Sequence, residues 1–349
     1  MTIDVSAHIY ELTEWTPRKK DVLSPFSDKY FRQPLNSSTS VCVLGELNGV
    51  LGTAYIFFAT DGVARRVMVV ISRESTEPLS ESDARGVLGQ FVGPTKKEPV
   101  SRVLWTRGSL ENGQQEVSIF LRESRSLIAT DFLQHGRLYV ASDAKGIAVI
   151  DTTESIPPQK ERAQRLAVLT AMAFAYQSVL DDAIDLLAEA GRKSSSIAEE
   201  QLREWSQFMS SFYFHEPIKL STIELARFYG SVRDRHKISN LAQEVTDQLK
   251  LLADIVRLDR SELQASREKT IQRRIGICGL LLAFVGAALT FAQVTPKTLS
   301  EASAQWGECG RTVGVLNCIF GEYKDSSKSS TPTTSQKPPA MVKKPLTRQ

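Results

Sequence analysis

The pattern of apolar and polar positions changes character three times along the chain. Up to about residue 155, short runs rich in Val, Ile, Tyr and Phe are separated by Gly, Asn, Asp and Ser. Such runs predict strands at 41–47, 54–59, 66–71, 100–105, 116–121, 137–141 and 147–150, with one helix at 82–91 among them. Pro157–Pro158 closes this region. Residues 160–190 are then long, Ala- and Leu-rich and helical in period, ending at Gly191. A second helix is expected over 197–214, stopped by Pro217. A third starts at Ser221, with Glu224 as its capping-box partner. Beyond 239, Leu241, Val245, Leu249, Leu252, Val256 and Leu263 recur at spacings near three and four, a stripe close to a coiled-coil seam. No Gly or Pro intervenes before residue 275, so one helix is expected from about 240 to 293, roughly 80 Å long at a rise of 1.5 Å per residue.

The third change comes at residues 275–294, IGICGLLLAFVGAALTFAQV, which carry no charge. Twenty helical residues span about 30 Å, the hydrocarbon thickness of a bilayer, so this segment predicts a transmembrane helix. Arg257, Arg260, Arg267, Lys269, Arg273 and Arg274 precede it, whereas only Lys297 and Arg311 lie in a comparable window after it. Positive charge stays on the cytoplasmic side, which places the N-terminal part in the cytoplasm and the protein in a cell (inner) membrane, single-pass. The opening MTIDVSAHIYELTEW carries acids and no apolar run, and is not expected to be a signal peptide. The segment 313–320 is apolar but too short to span. From about Lys324 onward the chain is Ser, Thr, Pro and Lys, a composition that predicts disorder.

The expected organisation is therefore an α+β (α/β) cytoplasmic domain at 1–157 and an antiparallel helical region at 158–238. A stalk helix at 239–274 and a transmembrane helix at 275–294 follow, then an extracytoplasmic segment at 295–323 and a disordered tail at 324–349. With 349 residues, 42% of them hydrophobic, the chain buries a core without disulfides or structural metal. Its composition excludes a collagen-like, disulfide-scaffold or wholly disordered protein. A net charge of +3 gives no case for nucleic-acid binding.

Candidate chemistry is sparse. Asp181, Asp182 and Asp185 form a DDxxD arrangement; Asp181 and Asp185 share a helix face and are candidate ligands for a divalent cation such as Mg²⁺. The competing reading is a solvated acidic face. Cys309 and Cys318 form a disulfide if the far side of the membrane is oxidising, and are two free thiols otherwise. Cys42 and Cys278 read as packing residues. His215, between an aromatic run and Glu216–Pro217, reads as a helix-end residue. Gly45, Gly49 and Gly52 read as a hairpin turn, because they lack phosphate-loop spacing. No Ser/His/Asp, Cys/His or zinc-ligand constellation is present in the spacing, so no enzymatic activity and no resident cofactor are expected. Gly279, Ala283 and Ala287 recur every four residues in the apolar helix, a small-residue face that favours self-association in lipid.

The order of parts, an α/β cytoplasmic domain, a helical region and a very long helix entering the membrane, resembles the CorA-type divalent metal-ion transporter superfamily over about residues 40–294. The segment FMSSFYFHEPIKLSTIELARFYGSVRDRHKISNLAQEVTDQLKLLADIV is similar in character to the helical part of divergent members. The resemblance implies a homo-oligomeric, ring-like membrane assembly with ion transport as its activity. The chain departs from that family in two respects. Gln293–Val294–Thr295–Pro296 stands where the family carries Gly-Met-Asn, and there is no second membrane helix. No site residue carries over. Expected partners are the bilayer, further copies of the chain, and a small ligand or protein for the cytoplasmic domain.

Overall fold

The computed structural model describes the chain except for residues 1, 14, 19–20, 59–63, 96, 154–159, 194, 220–222 and 294–349. The chain divides into two compact units, Met1–Ala265 and Ser266–Gln349.

The first unit is built on one mixed sheet of nine strands. In chain order these are β1 (Thr2–Leu12), β2 (Ser24–Pro25), β3 (Ser40–Leu47), β4 (Val50–Phe57), β5 (Arg66–Arg73), β6 (Ser101–Arg107), β7 (Leu133–His135), β8 (Leu138–Asp143) and β9 (Gly146–Asp151). Their order across the sheet is β2-β3-β4-β5-β1-β6-β9-β8-β7. β6 and β9 pair in parallel and the other neighbours antiparallel. The hairpin between β3 and β4 turns at Asn48 (φ 52°) and Gly49 (φ 74°), two left-handed residues that match strand twist. Gly45 and Gly52 serve another purpose: Phe91 lies over them, and a Cβ on Gly52 would stand 2.5 Å from its ring.

Seven helices complete the described chain: α1 (Gln33–Ser38), α2 (Glu81–Val92), α3 (Leu110–Arg122), α4 (Lys160–Ala190), α5 (Ser195–Ser211), α6 (Ile223–Arg235) and α7 (Ile238–Gln293). Strand alternation sorts them into layers. Val5, Ala7 and Ile9 of β1, Met68 and Val70 of β5, Val103 and Trp105 of β6, and Ile147 and Val149 of β9 share one apolar cluster with α4, α5, α6 and the first part of α7. We call this the inner face. On the outer face, Tyr10, Val67, Val69 and Ile71 pack under α2, while Leu104, Ala148 and Ile150 pack under α3.

The central helix of the inner layer is α4. Residues Leu166, Ala167, Val168, Leu169, Thr170, Ala171, Met172 and Ala173 are buried in succession, so this middle part of α4 is enclosed on every side. Its many alanines let neighbours approach closely, and Thr170 satisfies its hydroxyl internally by donating to the Leu166 carbonyl (2.8 Å). Arg66 of β5 pins α4 to the sheet through Asp182 and donates to the Ser178 hydroxyl (2.9 Å).

Two expectations are corrected. Residues 116–121 are not a strand but the second half of α3. Ser109 caps that helix through the Asn112 N–H, and Gly113, Val117, Phe120 and Leu121 recur at helical spacing on the sheet. The other correction is β1: the segment 2–12, not expected as a strand, is an interior strand between β5 and β6. The helical expectations agree to within a few residues, including one helix unbroken from Ile238 to Gln293. The boundary at Pro157–Pro158, the Ser221 cap and everything from residue 294 onward lie outside the described residues.

Candidate functional site

The outer face of the sheet is covered by two short helices, each seated on its own apolar cluster. Between them lies a cleft of about 410 Å³. Its polar lining is set by strand register: His8 of β1 and Arg102 of β6 are direct cross-strand partners and lie on the same, outer face. The N-terminus of α2 contributes Leu79, Ser80 and Glu81; α3 contributes Glu116, Ile119 and Phe120, with Glu123 just beyond its end.

Arg102 is buried and fully engaged. Its guanidinium donates to Glu81 (2.6 Å), to Glu123 (2.5 Å) and to the Phe120 carbonyl (3.0 Å). These bonds tie β6 to α2 and α3 together. Glu123 makes its bond from a strained position. It occupies the left-handed residue after α3 (φ 57°), where glycine is usual. The Arg102 guanidinium holds the Glu123 carboxyl below the usual carboxylate range. Glu81 also accepts from Arg85 (2.5 Å), and Glu123 lies 3.6 Å from Lys145. Glu116 makes no ion pair or hydrogen bond among the described residues.

His8 is 2% exposed. Its Nε2 lies 2.8 Å from the Leu79 carbonyl, an acceptor only, so Nε2 carries the proton. The Nδ1 atom is then a lone pair, buried without a partner. Burial pushes the imidazole pKa down, with Arg102 adding to the effect, against opposing contributions from the Leu79 bond and Glu81. His8 is therefore neutral near pH 7. Two residues along the same face, the Tyr10 hydroxyl is also buried without a partner, and burial and Glu81 push it up to about 12. Ser6 of the same face is satisfied: its hydroxyl accepts from the Leu79 N–H (2.8 Å).

A larger opening of about 840 Å³ lies between α5 and α7, crossed by the Glu199–Arg260 ion pair (2.8 Å). Its polar groups are at the surface, and none is a buried orphan.

The residues singled out from the sequence are distributed as follows. Asp181 and Asp185 lie exposed on α4, and no group of three metal-ligating side chains occurs among the described residues. Partial burial, then Asp182, Asp185 and Glu244, push the Asp181 carboxyl up. Asp182, between them in sequence, is committed to Arg66. Gly279, Ala283 and Ala287 lie on the exposed part of α7, and a Cβ on Gly279 would meet open space. Cys42 is buried in β3 and Cys278 exposed in α7; Cys309 and Cys318 lie outside the described residues. His215 is exposed beside Arg233 and Glu216.

α7 is, among the described residues, the one helix long and apolar enough to cross a membrane. Its apolar window is wholly exposed, unlike the buried apolar run of α4. A single long apolar helix of this kind is consistent with a single-pass anchor. No protein-family model matches the chain, and neither does any curated protein or solved structure.

Proposed function

We propose that the chain is a single-pass integral membrane protein whose N-terminal α/β unit is a cytoplasmic sensor or binding domain. The observation that carries this reading is the two-part character of α7. At its start, Val245, Leu249, Leu252 and Val256 belong to the core of the first unit. Further along the same helix, Ile275, Ile277, Leu280, Leu281, Leu282, Phe284 and Val285 are all exposed. Exposed apolar surface of that extent is unfavourable in water and favourable in hydrocarbon. Arg267, Lys269, Arg273 and Arg274 stand just before it, which supports a cytoplasmic first unit.

The chain functions as a homo-oligomer. Leu251, Ile255 and Leu258 form a second, exposed apolar stripe on α7 at spacings of four and three. The Gly279–Ala283–Ala287 face allows close helix approach within lipid. In the sharpest form of this reading the assembly is a CorA-like ion channel, transporter or membrane effector, for a divalent cation such as Mg²⁺. The alternative is a membrane-anchored signalling or scaffold protein without transport. It is favoured by the absence of Gly-Met-Asn after the span and by there being one helix long and apolar enough to cross a membrane among the described residues. Neither form is an enzyme.

Native mass spectrometry of the full chain in detergent separates them. A closed ring of about five copies supports the channel, since one helix per copy then suffices to enclose a pore. A monomer or dimer leaves no pore and supports the anchor. Extraction of the chain from membranes by alkaline carbonate would overturn both.

A further inference from the structure

We propose that α7 pairs with α7 of a second copy, in parallel and in register, along one heptad seam that its stalk and its apolar segment share, so that the protein is a dimer. This rests on the reading of the chain as a homo-oligomeric, single-pass membrane protein, and it selects the form without a pore. Two copies inserted with the same topology bring their α7 helices together in parallel.

The seam begins with an apolar stripe that the first unit does not use. Leu251, Ile255 and Leu258 are 64%, 44% and 64% exposed. They lie about 120° around the helix, at about 100° per residue, from Val245, Leu249, Leu252 and Val256, which the core of the first unit buries. A second helix can therefore cover the stripe while that core stays intact. Its spacing, four then three, is that of coiled-coil d, a and d positions. Counting sevens from Ile255 leads to Glu262, Lys269, Gly276 and Ala283; counting from Leu258 leads to Ala265, Gln272, Gly279 and Gly286. All of these are exposed. The stalk stripe and the small residues of the apolar segment thus fall in one phase, and a single left-handed supercoil serves both. Gly276, Gly279 and Gly286 have open space where a Cβ would stand, which suits the close backbone approach that holds helices together in lipid.

The four-residue line through Gly279, Ala283 and Ala287 is the competing face. Carried backward it meets Ile275, Ile271 and Arg267 and misses the stalk stripe. The heptad line shares Gly279 and Ala283 with it and then takes Gly286 in place of Ala287. Ile at a with Leu at d favours two strands over more. Charge agrees near the apolar segment: Glu268 at g and Arg273 at the following e face each other between copies, twice by symmetry. Glu262, at an a position, meets its own counterpart, and Asp254 at g meets Asp259 at e. Both oppose pairing, so the apolar and small-residue layers carry it.

The test uses the full chain in the membranes of expressing cells, with Cys278→Ser, Cys309→Ser and Cys318→Ser as background. Single cysteines are placed along α7 and oxidised with copper phenanthroline. Leu258→Cys, Gln272→Cys and Gly286→Cys, all at d, should give covalent dimers several-fold faster than Arg267→Cys, Leu281→Cys and Ala287→Cys. Glu262→Leu, which turns the opposing layer apolar, should tighten the detergent-solubilised dimer roughly tenfold on dilution. Native mass spectrometry of the full chain supplies the copy number independently. Faster cross-linking at Ala287 than at Gly286, or at Arg267 than at Gln272, would overturn the seam and leave the homo-oligomer standing. Unchanged dissociation in Glu262→Leu would overturn the part of the seam in the stalk. A closed ring of about five copies would overturn the dimer alone. A monomer, with no position cross-linking faster than the rest, would overturn the homo-oligomeric reading as well.

Discussion

On its inner face the sheet is roofed by one apolar cluster that runs from Val5 through α4 to Val256; on its outer face α2 and α3 each sit on a cluster of their own. The opening in the inner layer, between α5 and α7, has its polar groups at the surface and none of them is a buried orphan. The outer face has a seam between the two helices, and the polar residues His8 of β1 and Arg102 of β6 floor it. Continuous coverage gives stability, and divided coverage gives a place for chemistry.

That contrast is open to attack, most severely at Gly146. This residue pairs with Arg102 across β6 and β9, has φ 150°, and a Cβ there would collide with the Arg102 carbonyl oxygen. Gly146→Ala should lower unfolding stability by about 3 kcal/mol, since backbone on both sides must yield. Denaturant unfolding followed by Trp fluorescence checks this, because Trp105 and Trp205 are fully buried.

Smaller core changes test whether the faces differ as described. Ile71→Val under α2 and Ile150→Val under α3 should each cost about 1 kcal/mol and add within about 0.5 kcal/mol, as separate clusters do. On the inner face, Phe58 and Phe208 meet edge to face at 5.3 Å. Phe58→Leu and Phe208→Leu should couple by about 0.5–1.5 kcal/mol in a double-mutant cycle. Additivity there, or coupling on the outer face, would erase the distinction.

Acid should act more gently. Burial depresses the pKa of His8, His135 and His236 below the ordinary 6.5. The folded state therefore binds fewer protons than the unfolded chain, so this stability is complete above about pH 6.5 and is lost as pH falls through the depressed values. Melting temperature should decline on acidification below that point; a rise would show that these histidines are charged in the fold. The smallest effect is expected at Glu123→Gly. Relief of the left-handed strain, worth up to about 1 kcal/mol, offsets loss of a half-exposed ion pair of similar size, so stability should move by less than about 1 kcal/mol.

How much of this was legible beforehand depended on what buries each segment. Residues 275–293 and α4 could be read because each is a long apolar or Ala- and Leu-rich run of helical length, visible within one segment of sequence. β1 escapes the apolar-run criterion because its outer-face residues Ser6, His8 and Tyr10 are polar yet buried, although Val5, Ala7 and Ile9 alternate with them as strand residues do. In α3 the run Glu-Val-Ser-Ile alternates as a strand does, and the Ser109 cap that marks its start is seven residues upstream. The cleft itself left no local signal. It is assembled from β1, α2, β6 and α3, four elements whose meeting depends on a register that spacing within one segment does not encode.

The enclosure of α4 has a last consequence. Because the sheet packs on one of its sides and α5 and α6 on others, none of these can swing away while α4 keeps its surroundings. Its mid-helix amides, from Leu169 to Tyr176, should exchange with deuterium only through global opening, making α4 the slowest-exchanging segment and the keystone of a single cooperative unit. Amides in α2 and α3, each held by its own small cluster, should exchange first, by local excursions that leave that keystone in place.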